Sequence, residues 1–136
     1  MMPDSAPGLA ARHVFVYGTL RSGGSNDIAR YSPTPVLVAS GCIDGTLHDL
    51  GAYPGALLGG GGWVRGEIYR IDPDVEPLLD LLEDAKPDGS GEYVKREMLV
   101  TPDHGGTPIA CLVYEIQPDR ARGKPVIASG DWFDRG

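Results

Sequence analysis

The residues best suited to bind a ligand follow a short apolar run near the start of the chain. Val14, Phe15 and Val16 predict a buried inner strand that breaks into a tight turn at Gly18. Glycine at this position allows a positive φ angle or the close approach of a ligand, and the next backbone N–H groups are then free to bind an anion or a carbonyl oxygen. An ordinary exit from a strand into a loop has the same spacing, so the pattern alone leaves both interpretations open.

A glutamate near the end of the clearest helix signal is the candidate for proton transfer. Asp72 is placed to cap the helix, and Pro73 suits its first turn. The apolar residues that follow at helical spacing are Val75, Leu78, Leu79 and Leu82. Continuing this template puts Glu83 on the shoulder of the apolar stripe, whereas Asp80 and Asp84 project away from it. The Glu83 carboxylate should therefore face the seam between the helix and the sheet.

Burial in such a seam gives a carboxylate the properties of a general acid or base. Loss of hydration raises its pKa towards the range in which it can transfer protons near neutral pH. An equally open alternative is that the stem of Glu83 covers apolar surface while its head group reaches water. The residue pattern does not choose between these two interpretations.

Strands joined by many turns must position these groups. Twenty glycines and twelve prolines among 136 residues favour an antiparallel or mixed β architecture over a helical bundle. A helical turn is expected near residues 27–30. Strands are predicted at residues 36–43, 46–50, 63–71, 93–101 and 109–116, with turns at 51–55 and 59–62. The tail from Gln117 is expected to wrap back over the sheet, with Trp132 and Phe133 either capping a core edge or lining a cleft.

Charge and hydropathy argue against two classes of partner. The formal net charge of −7 repels phosphate backbones and anionic membrane surfaces, so neither nucleic acid nor a membrane is an expected partner. No apolar run has the length needed to span a bilayer, and residues 1–11 lack the basic and apolar regions of a signal peptide. We therefore expect a cytoplasmic protein with an untargeted, disordered tail at residues 1–11.

The cysteines and histidines do not have the spacing of a metal or redox site. Cys42 and Cys111 lie far apart in apolar runs without a C-x-x-C pair, and we expect them to be buried free thiols. The three histidines lack further ligands at metal-binding spacing. The glycines at 59–62 lack the lysine of a phosphate loop. Neither a metal nor another cofactor is expected.

Several short motifs occur in order between residues 13 and 132. They are Tyr17-Gly18-Thr19-Leu20-Arg21 followed by Gly23 and Asn26, then Tyr53-Pro54-Gly55-Ala56, residues 64–72, residues 79–83, Tyr93-Val94-Lys95-Arg96, Val113-Tyr114 and Ser129-Gly130-Asp131-Trp132. This series resembles the γ-glutamylcyclotransferase-like family, which includes γ-glutamylamine cyclotransferases. The resemblance implies an α+β fold in one domain, residues 12–136: a small mixed β-barrel with one main helix packed against it.

The resemblance also implies a reaction and the residues that perform it. The α-amine of a γ-glutamyl group attacks its own side-chain carbonyl, which releases 5-oxoproline and the attached amine without a cofactor. Glu83 falls at the acid of the family's L-D-x-x-E-G motif and is the expected catalytic residue. The residues expected to bind the substrate are Tyr17, Gly18, Thr19, Leu20, Arg21 and Tyr114. Such a protein is an acyltransferase or lyase that acts on a small molecule, as a monomer or weak homodimer.

Two departures from the family pattern concern the neighbourhood of Glu83. Asp84 stands where the motif usually has glycine, and the segment at 85–92 is longer than in many members, so Glu92 competes for the catalytic role. We prefer Glu83 because the helix fixes its direction, whereas Glu92 follows a flexible Gly-Ser-Gly loop. If these departures misplace the acid, the chain is instead a non-catalytic ligand-binding or protein-interaction module on the same fold.

Overall fold

A five-stranded mixed sheet frames the protein in the computed structural model, which describes residues 12–134. The strands are β1 (Arg12–Val16), β2 (Val36–Asp49), β3 (Pro54–Ile71), β4 (Tyr93–Val100) and β5 (Ile109–Ile116). The helices are α1 (Glu76–Leu82) and α2 (Pro118–Ala121), and 3-10 turns cover Ile28–Arg30 and Trp132–Asp134. The strand order is β2-β3-β1-β5-β4, with β1 parallel to β5 and the other neighbours antiparallel. The predicted α+β class is confirmed, and the predicted tail at 1–11 lies outside the described residues.

The central strand β1 is buried on both faces, as predicted. Alternate side chains of a strand point to opposite faces. Val14 and Val16 therefore join the apolar cluster that includes Leu79 of α1, while Phe15 and Tyr17 join the cluster on the other face. These four side chains are at most 6% exposed, whereas Arg12 at the start of β1 is exposed. The strand thus delivers the following loop to a fixed place between two cores.

The hairpin of β2 and β3 is less interrupted than the sequence predicts. Two strands with a bend were expected between residues 36 and 50, but β2 is continuous and absorbs the irregularity in bulges at Leu37/Ala39 and Asp44/Gly45. The glycines at 59–62 lie within β3 instead of forming a separate turn. They bulge out opposite the second irregularity, where the N–H of Gly61 donates to Oδ1 of Asp44 at 2.7 Å.

The outer strands β2 and β4 are brought together at one isolated bridge. Gly41 pairs there with Pro102, and the N–H of Asp103 donates to the carbonyl of Ser40 at 2.9 Å. A Cβ atom on Gly41 would lie 3.1 Å from the carbonyl oxygen of Thr101, so glycine suits this close approach. The sheet is curled far enough for its edges to meet, while complete closure into a barrel stays a prediction.

The main helix begins three residues later than predicted. Helix α1 starts at Glu76 and carries Pro77 in its first turn. The carboxylate of Asp72 caps the preceding turn instead, where it accepts a hydrogen bond from the N–H of Asp74 at 2.9 Å. The predicted capping residue therefore ends the strand and shapes the turn, and the helix has Val75 at its N-cap.

The buried face of α1 is also narrower than predicted. Val75 and Leu79 are fully buried, whereas Leu78 and Leu82 are 43% and 39% exposed. A helix of seven residues makes only two turns, and positions four apart lie directly above one another. Among the apolar residues at helical spacing only this pair is fully buried, and Leu82 instead lines the cavity described below.

The C-terminal segment packs along β2 and β3, in agreement with the predicted wrap. The N–H of Ile127 donates to the carbonyl of Leu47, and the N–H of Arg65 donates to the carbonyl of Gly130, both at 2.8 Å. Trp132 is buried in the core cluster that contains Phe15 and Tyr17. Its side chain therefore closes the edge of that core and does not line a cleft.

Both cysteines are free, with Cys111 buried and Cys42 only half-buried. The predicted free thiols are confirmed, but full burial is wrong for Cys42. Within residues 12–134 no helix is long and apolar enough to cross a membrane. The same residues contain no group of three or more His, Cys, Asp or Glu side chains that could hold a metal ion. The cytoplasmic location stays a prediction.

Candidate active site

A cavity of about 310 Å³ opens where the loop after β1, the start of β3, the end of α1 and the start of β4 meet. Its lining residues are Phe15, Val16, Tyr17, Gly18, Thr19, Leu20, Ser25, Asn26, Ala52, Tyr53, Pro54, Leu82, Glu83, Glu92, Tyr93 and Tyr114. The structure thus brings Glu83, the loop at 17–20 and Tyr114 together, as the sequence predicts. Among the predicted site residues only Arg21 is absent from this lining.

The loop at 17–20 is folded so that its carbonyl groups are occupied. The carbonyls of Gly18, Thr19 and Leu20 accept hydrogen bonds from the N–H groups of Arg21, Asn26 and Ile28 at 2.9–3.0 Å. In a trans peptide the C=O and N–H point in opposite directions. The N–H groups of Thr19 and Leu20 therefore point out of the loop, and no hydrogen bond from them is found within residues 12–134.

Glycine is required at position 18 for packing. A Cβ atom on Gly18 would lie 2.6 Å from Cγ of Pro54, at the first residue of β3. The sequence suggests that this glycine allows either a positive φ angle or a close approach to its backbone. The φ angle of Gly18 is not positive, so the close packing against Pro54 is the reason that the structure supports. The close neighbour is Pro54, which itself lines the cavity. The loop and the start of β3 are thereby locked together.

Two side chains hold the loop after β1 in place: Asn26, which lines the cavity, and Glu67, which lies outside its lining. Nδ2 of Asn26 donates to Oγ1 of Thr19 at 3.1 Å, so the asparagine of the predicted motif fixes a cavity residue. Glu67 is 9% exposed, and its Oε1 accepts the N–H of Ser22 at 2.9 Å and the hydroxyl of Tyr69 at 3.0 Å. A buried carboxylate of β3 therefore anchors the far end of the loop.

Arg21, which the resemblance implies binds substrate, is held by contacts within the protein, and its role in binding stays a prediction. It is 8% exposed, with Nη1 at 2.6 Å from Oδ1 of Asp131 and Nε at 3.4 Å from Oε2 of Glu67. Its guanidinium lies 4.2 Å from the ring centroid of Phe133. Since Nε, Nη1 and the face of the guanidinium are engaged in these contacts, Arg21 ties the loop to the C-terminal segment.

Three buried tyrosines form one wall of the cavity. The hydroxyl of Tyr17 donates to the carbonyl of Tyr114 at 2.6 Å, and that of Tyr93 donates to the carbonyl of Pro54 at 2.6 Å. Burial raises the pKa of each of the three hydroxyls well above its ordinary value. The hydroxyls therefore stay protonated over the physiological range, and this wall is rigid and uncharged.

Asp80 supports the same wall, although the sequence predicts that it projects away. Its Oδ1 accepts the hydroxyl of Tyr114 at 2.6 Å, and its Oδ2 lies 2.8 Å from Nζ of Lys95. The signal that could have found it is its spacing, because Asp80 and Glu83 are three positions apart and such residues are neighbours on a helix.

Glu83 is the candidate general acid and base. It ends α1, and its backbone N–H donates to the carbonyl of Leu79 at 2.9 Å, which fixes the direction of the side chain. Burial of the carboxyl group, with a smaller effect from the charge of Glu92, raises its pKa from 4.5 to about 7. No hydrogen bond of its carboxylate is found among the described residues, and the half-buried side chain lines the cavity.

Asp84 preserves the backbone conformation that the usual glycine would adopt. Its φ angle is +51°, in the left-handed region that favours glycine and that aspartate tolerates better than most residues. Its Oδ2 accepts the N–H of Glu92 at 3.0 Å, and its Oδ1 lies 2.9 Å from Nζ of Lys86. The long segment at 85–92 is therefore a closed loop, and it does not displace Glu83 from the cavity.

Glu92 lines the same cavity, which sequence reasoning treated only as a competing possibility. Its Oε2 accepts the hydroxyl of Tyr53 at 2.5 Å. The expected flexibility is not what the contacts indicate, since the N–H and C=O of Glu92 are bonded to Asp84 and Gln117. Tyr53 belongs to a motif singled out in the sequence, but no role had been assigned to its hydroxyl.

Comparisons with known proteins agree on one family. Residues 14–134 match the family described as Gamma-glutamyl cyclotransferase, AIG2-like. The Gamma-glutamylcyclotransferase family protein YtfP of Escherichia coli is 38% identical over 123 residues, which cover 90% of this chain and 96% of the relative. The crystal structure of an aig2-like protein from Mus musculus is similar with a TM-score of 0.71 at 29% identity, covering 85% of both chains. The solution structure of ytfP from Escherichia coli gives a TM-score of 0.55 at 35% identity, covering 90% of this chain and 97% of that one.

Proposed function

The chain belongs to the gamma-glutamyl cyclotransferase, AIG2-like family, and from this premise we propose that it is an enzyme that cleaves γ-glutamyl amines or amides. The α-amine of the γ-glutamyl group attacks the side-chain carbonyl carbon, and a new C–N bond closes a five-membered ring. The original C–N bond to the leaving amine then breaks. The products are 5-oxoproline and the free amine, so neither water nor a cofactor is consumed.

The loop after β1 binds the oxygen atoms of the γ-glutamyl group. The N–H groups of Thr19 and Leu20 are the donors, because the loop's carbonyls are already occupied. Donors that are fixed before the reaction stabilise developing negative charge without having to reorganise. The packing of Gly18 against Pro54 and the bond from Asn26 to Thr19 supply that fixation.

Glu83 moves the proton. With a pKa of about 7 its carboxylate is partly ionised at neutral pH, so it accepts a proton from the α-ammonium and makes the amine nucleophilic. The carboxyl group passes this proton to the nitrogen of the leaving amine as the C–N bond breaks. The ionised carboxylate then accepts the second proton, which the ring nitrogen must lose to become the lactam N–H of 5-oxoproline. That proton goes to the freed amine, which departs as an ammonium ion. Glu83 returns to its starting state after each turnover, and one residue serves as both base and acid.

The cavity contributes by holding the substrate in a curled conformation. The tyrosine wall is buried and supported by Asp80, so it presents a fixed surface against the aliphatic part of the γ-glutamyl group. Ring closure within one molecule gains from such confinement, since effective molarities for well-oriented groups are large. Tyr114, predicted to bind substrate, belongs to this surface.

One observation carries the proposal: Glu83, Thr19 and Leu20 line one cavity, and no hydrogen bond of the half-buried Glu83 carboxylate or of the two loop N–H groups is found among the described residues. Loss of hydration raises the pKa of Glu83 to about 7, and a carboxyl group with such a pKa in a cavity favours a functional reason for its position. The non-catalytic alternative assumed that Asp84 and the long segment misplace the acid. The left-handed conformation of Asp84 and the closed loop after it favour the enzyme instead.

The test is turnover by the wild-type protein and by Glu83→Gln, measured as 5-oxoproline and free amine by mass spectrometry. A panel of γ-glutamyl amines, γ-glutamyl amino acids and γ-glutamyl peptides serves as substrate. Loss of the proton carrier is expected to lower kcat by roughly 10²–10⁴-fold. For the wild type, kcat/KM should rise with pH and level off above about pH 7, because the ionised form of Glu83 is the base.

Glu97→Gln is the matched control, because it makes the same change of charge on a β4 side chain that is 64% exposed and lies outside the cavity lining. It should keep the wild-type rate. Near-normal turnover by a folded Glu83→Gln protein would exclude Glu83 as the proton carrier. Binding of γ-glutamyl compounds by the wild type without any product would show the non-catalytic alternative to be right.

A further inference from the structure

The cavity has a buried floor and a partly exposed mouth. Tyr17, Tyr93 and Tyr114 are each at most 6% exposed, whereas Tyr53 is 37% exposed and Glu92 is half-buried. Under the proposed function the γ-glutamyl group occupies the floor, next to the loop amides and Glu83. The leaving amine must then extend past Tyr53 and Glu92 at the mouth.

Glu92 is held at the mouth by three contacts. Its Oε2 accepts the hydroxyl of Tyr53 at 2.5 Å, its N–H donates to Oδ2 of Asp84 at 3.0 Å, and its carbonyl accepts the N–H of Gln117 at 3.0 Å. The glycine before it fits closely, since a Cβ atom on Gly91 would collide with the carbonyl of Asp84. The carboxylate is therefore presented from a braced backbone and an oriented side chain.

The charges in the cavity do not balance once a γ-glutamyl group is bound. The lining contains two carboxylates, Glu83 and Glu92, and no lysine, arginine or histidine is among the described residues that form it. The substrate's α-carboxylate is met by backbone N–H groups, and its α-ammonium is met by Glu83. Glu92 is left without a positive partner on the substrate.

The neighbouring charges do not compensate Glu92 inside the cavity. The charge of Glu92 acts across the cavity on Glu83 and contributes to the raised pKa of that carboxyl. Arg120 also acts on the hydroxyl of Tyr53, but it is exposed and does not line the cavity. A cation on the bound molecule would therefore improve the balance at the mouth, and an added carboxylate would worsen it.

We infer that Glu92, oriented by Tyr53, determines specificity by binding a cationic group on the leaving amine. The preferred substrates are then γ-glutamyl derivatives of amines that carry a second positive charge, and leaving groups that end in a carboxylate are disfavoured. This inference rests on the proposed function. It gives the long segment at 85–92 a role, since that segment supplies Glu92, whose backbone N–H is held by Asp84.

The experiment compares kcat/KM for three γ-glutamyl amides of similar length. Their leaving amines are putrescine, with a free ammonium; pentylamine, which is neutral; and 5-aminopentanoate, with a terminal carboxylate. The ratio of the kcat/KM values for two substrates cancels any effect of a mutation on the ring closure that both substrates undergo. For the wild type the cationic amide should exceed the neutral one roughly tenfold, the value of one charged hydrogen bond, and the anionic amide should be poorest.

Two variants test the residues. Glu92→Gln should bring the ratio of cationic to neutral substrate close to one, and Tyr53→Phe should lower it in part because the carboxylate loses its orientation. Glu97→Gln, with the same charge change outside the cavity, should keep the wild-type ratio. Thermal unfolding checks that each variant is folded. If Glu92→Gln does not fold, the ratio measured for Tyr53→Phe decides the inference.

The possible failures are distinguishable. Turnover of all three amides with equal efficiency, or an unchanged ratio in Glu92→Gln, overturns the inference while the proposed function stands. Loss of all turnover in a folded Glu92→Gln protein also overturns it, because Glu92 would then be the catalytic base. Absence of 5-oxoproline from every amide with the wild type overturns the proposed function and this inference with it.

Discussion

Replacing Glu83 by glutamine should stabilise the protein, and the gain should grow as the pH rises. In the folded protein, burial and the charge of Glu92 raise the pKa of Glu83 from 4.5 to about 7. In the unfolded chain the side chain is hydrated and titrates near its ordinary value. Between these two pKa values the folded state holds a proton that the unfolded state has released, so stability falls as the pH rises.

The size of the effect follows from the two pKa values. The difference between 4.5 and about 7 corresponds to about 3 kcal/mol, at about 1.4 kcal/mol for each unit of pKa. The free energy of unfolding of wild type should therefore lose up to about 3 kcal/mol relative to Glu83→Gln between about pH 4.5 and pH 7.5. Above that range both states are ionised and the difference is constant. Such a change is a large part of the total stability of an ordinary domain.

The assay is urea unfolding of both proteins at a series of pH values from 5 to 8.5. Subtracting one curve from the other removes the titration of all groups that the two proteins share. Any constant cost of placing a carboxamide in the cavity shifts the difference without changing its slope. Glu97→Gln is the control and should give a difference that hardly changes with pH. A Glu83→Gln difference that is flat, or that shrinks as the pH rises, would refute the reasoning that this carboxyl is buried without compensation.

Two further substitutions test the structural assignments. Gly18→Ala puts a methyl group 2.6 Å from Cγ of Pro54, so the loop must move; kcat/KM for 5-oxoproline release should fall by roughly 10²-fold, and a value within threefold of wild type would contradict the packing argument. Arg21→Met leaves Glu67 buried without its positive partner and should cost about 3 kcal/mol of stability in urea unfolding. A large rise in KM without loss of stability would instead return Arg21 to the substrate.

The strand pattern was predictable because it depends on neighbours in sequence. Alternation in β1 placed Val14 and Val16 on one face and Phe15 on the other, and both faces proved to be buried. Arg21 could not be assigned in this way, since its partners Glu67 and Asp131 are 46 and 110 positions away. From the sequence, a conspicuous arginine in a binding motif looks like a ligand contact, while its true partners are set by the tertiary fold.

The helix shows a different limit of pattern reasoning. The template predicts one continuous helix from its cap at Asp72 to Glu83, but a turn capped by Asp72 occupies its start. Of the apolar stripe only Val75, at the N-cap of α1, and Leu79 are fully buried. Glu83 nevertheless faces inward, because direction at a helix end depends on spacing from the last buried residue, Leu79. Because the predicted apolar face is wider than the observed one, the template places Asp80 on the outer face, whereas its carboxylate accepts the hydroxyl of Tyr114.

Asp84 and the segment after it show why a departure from a motif need not damage a site. A residue in the left-handed conformation at the end of the helix turns the chain back. Asp84 adopts that conformation, and its carboxylate also accepts a hydrogen bond from the N–H of Glu92. The chain between them is closed at the base by that bond, so extra residues extend outward and leave the direction of Glu83 unchanged. What the longer segment can alter is the mouth, through Glu92. Substitutions at position 92 should therefore change which leaving amines are preferred, while the chemistry of ring closure stays the same.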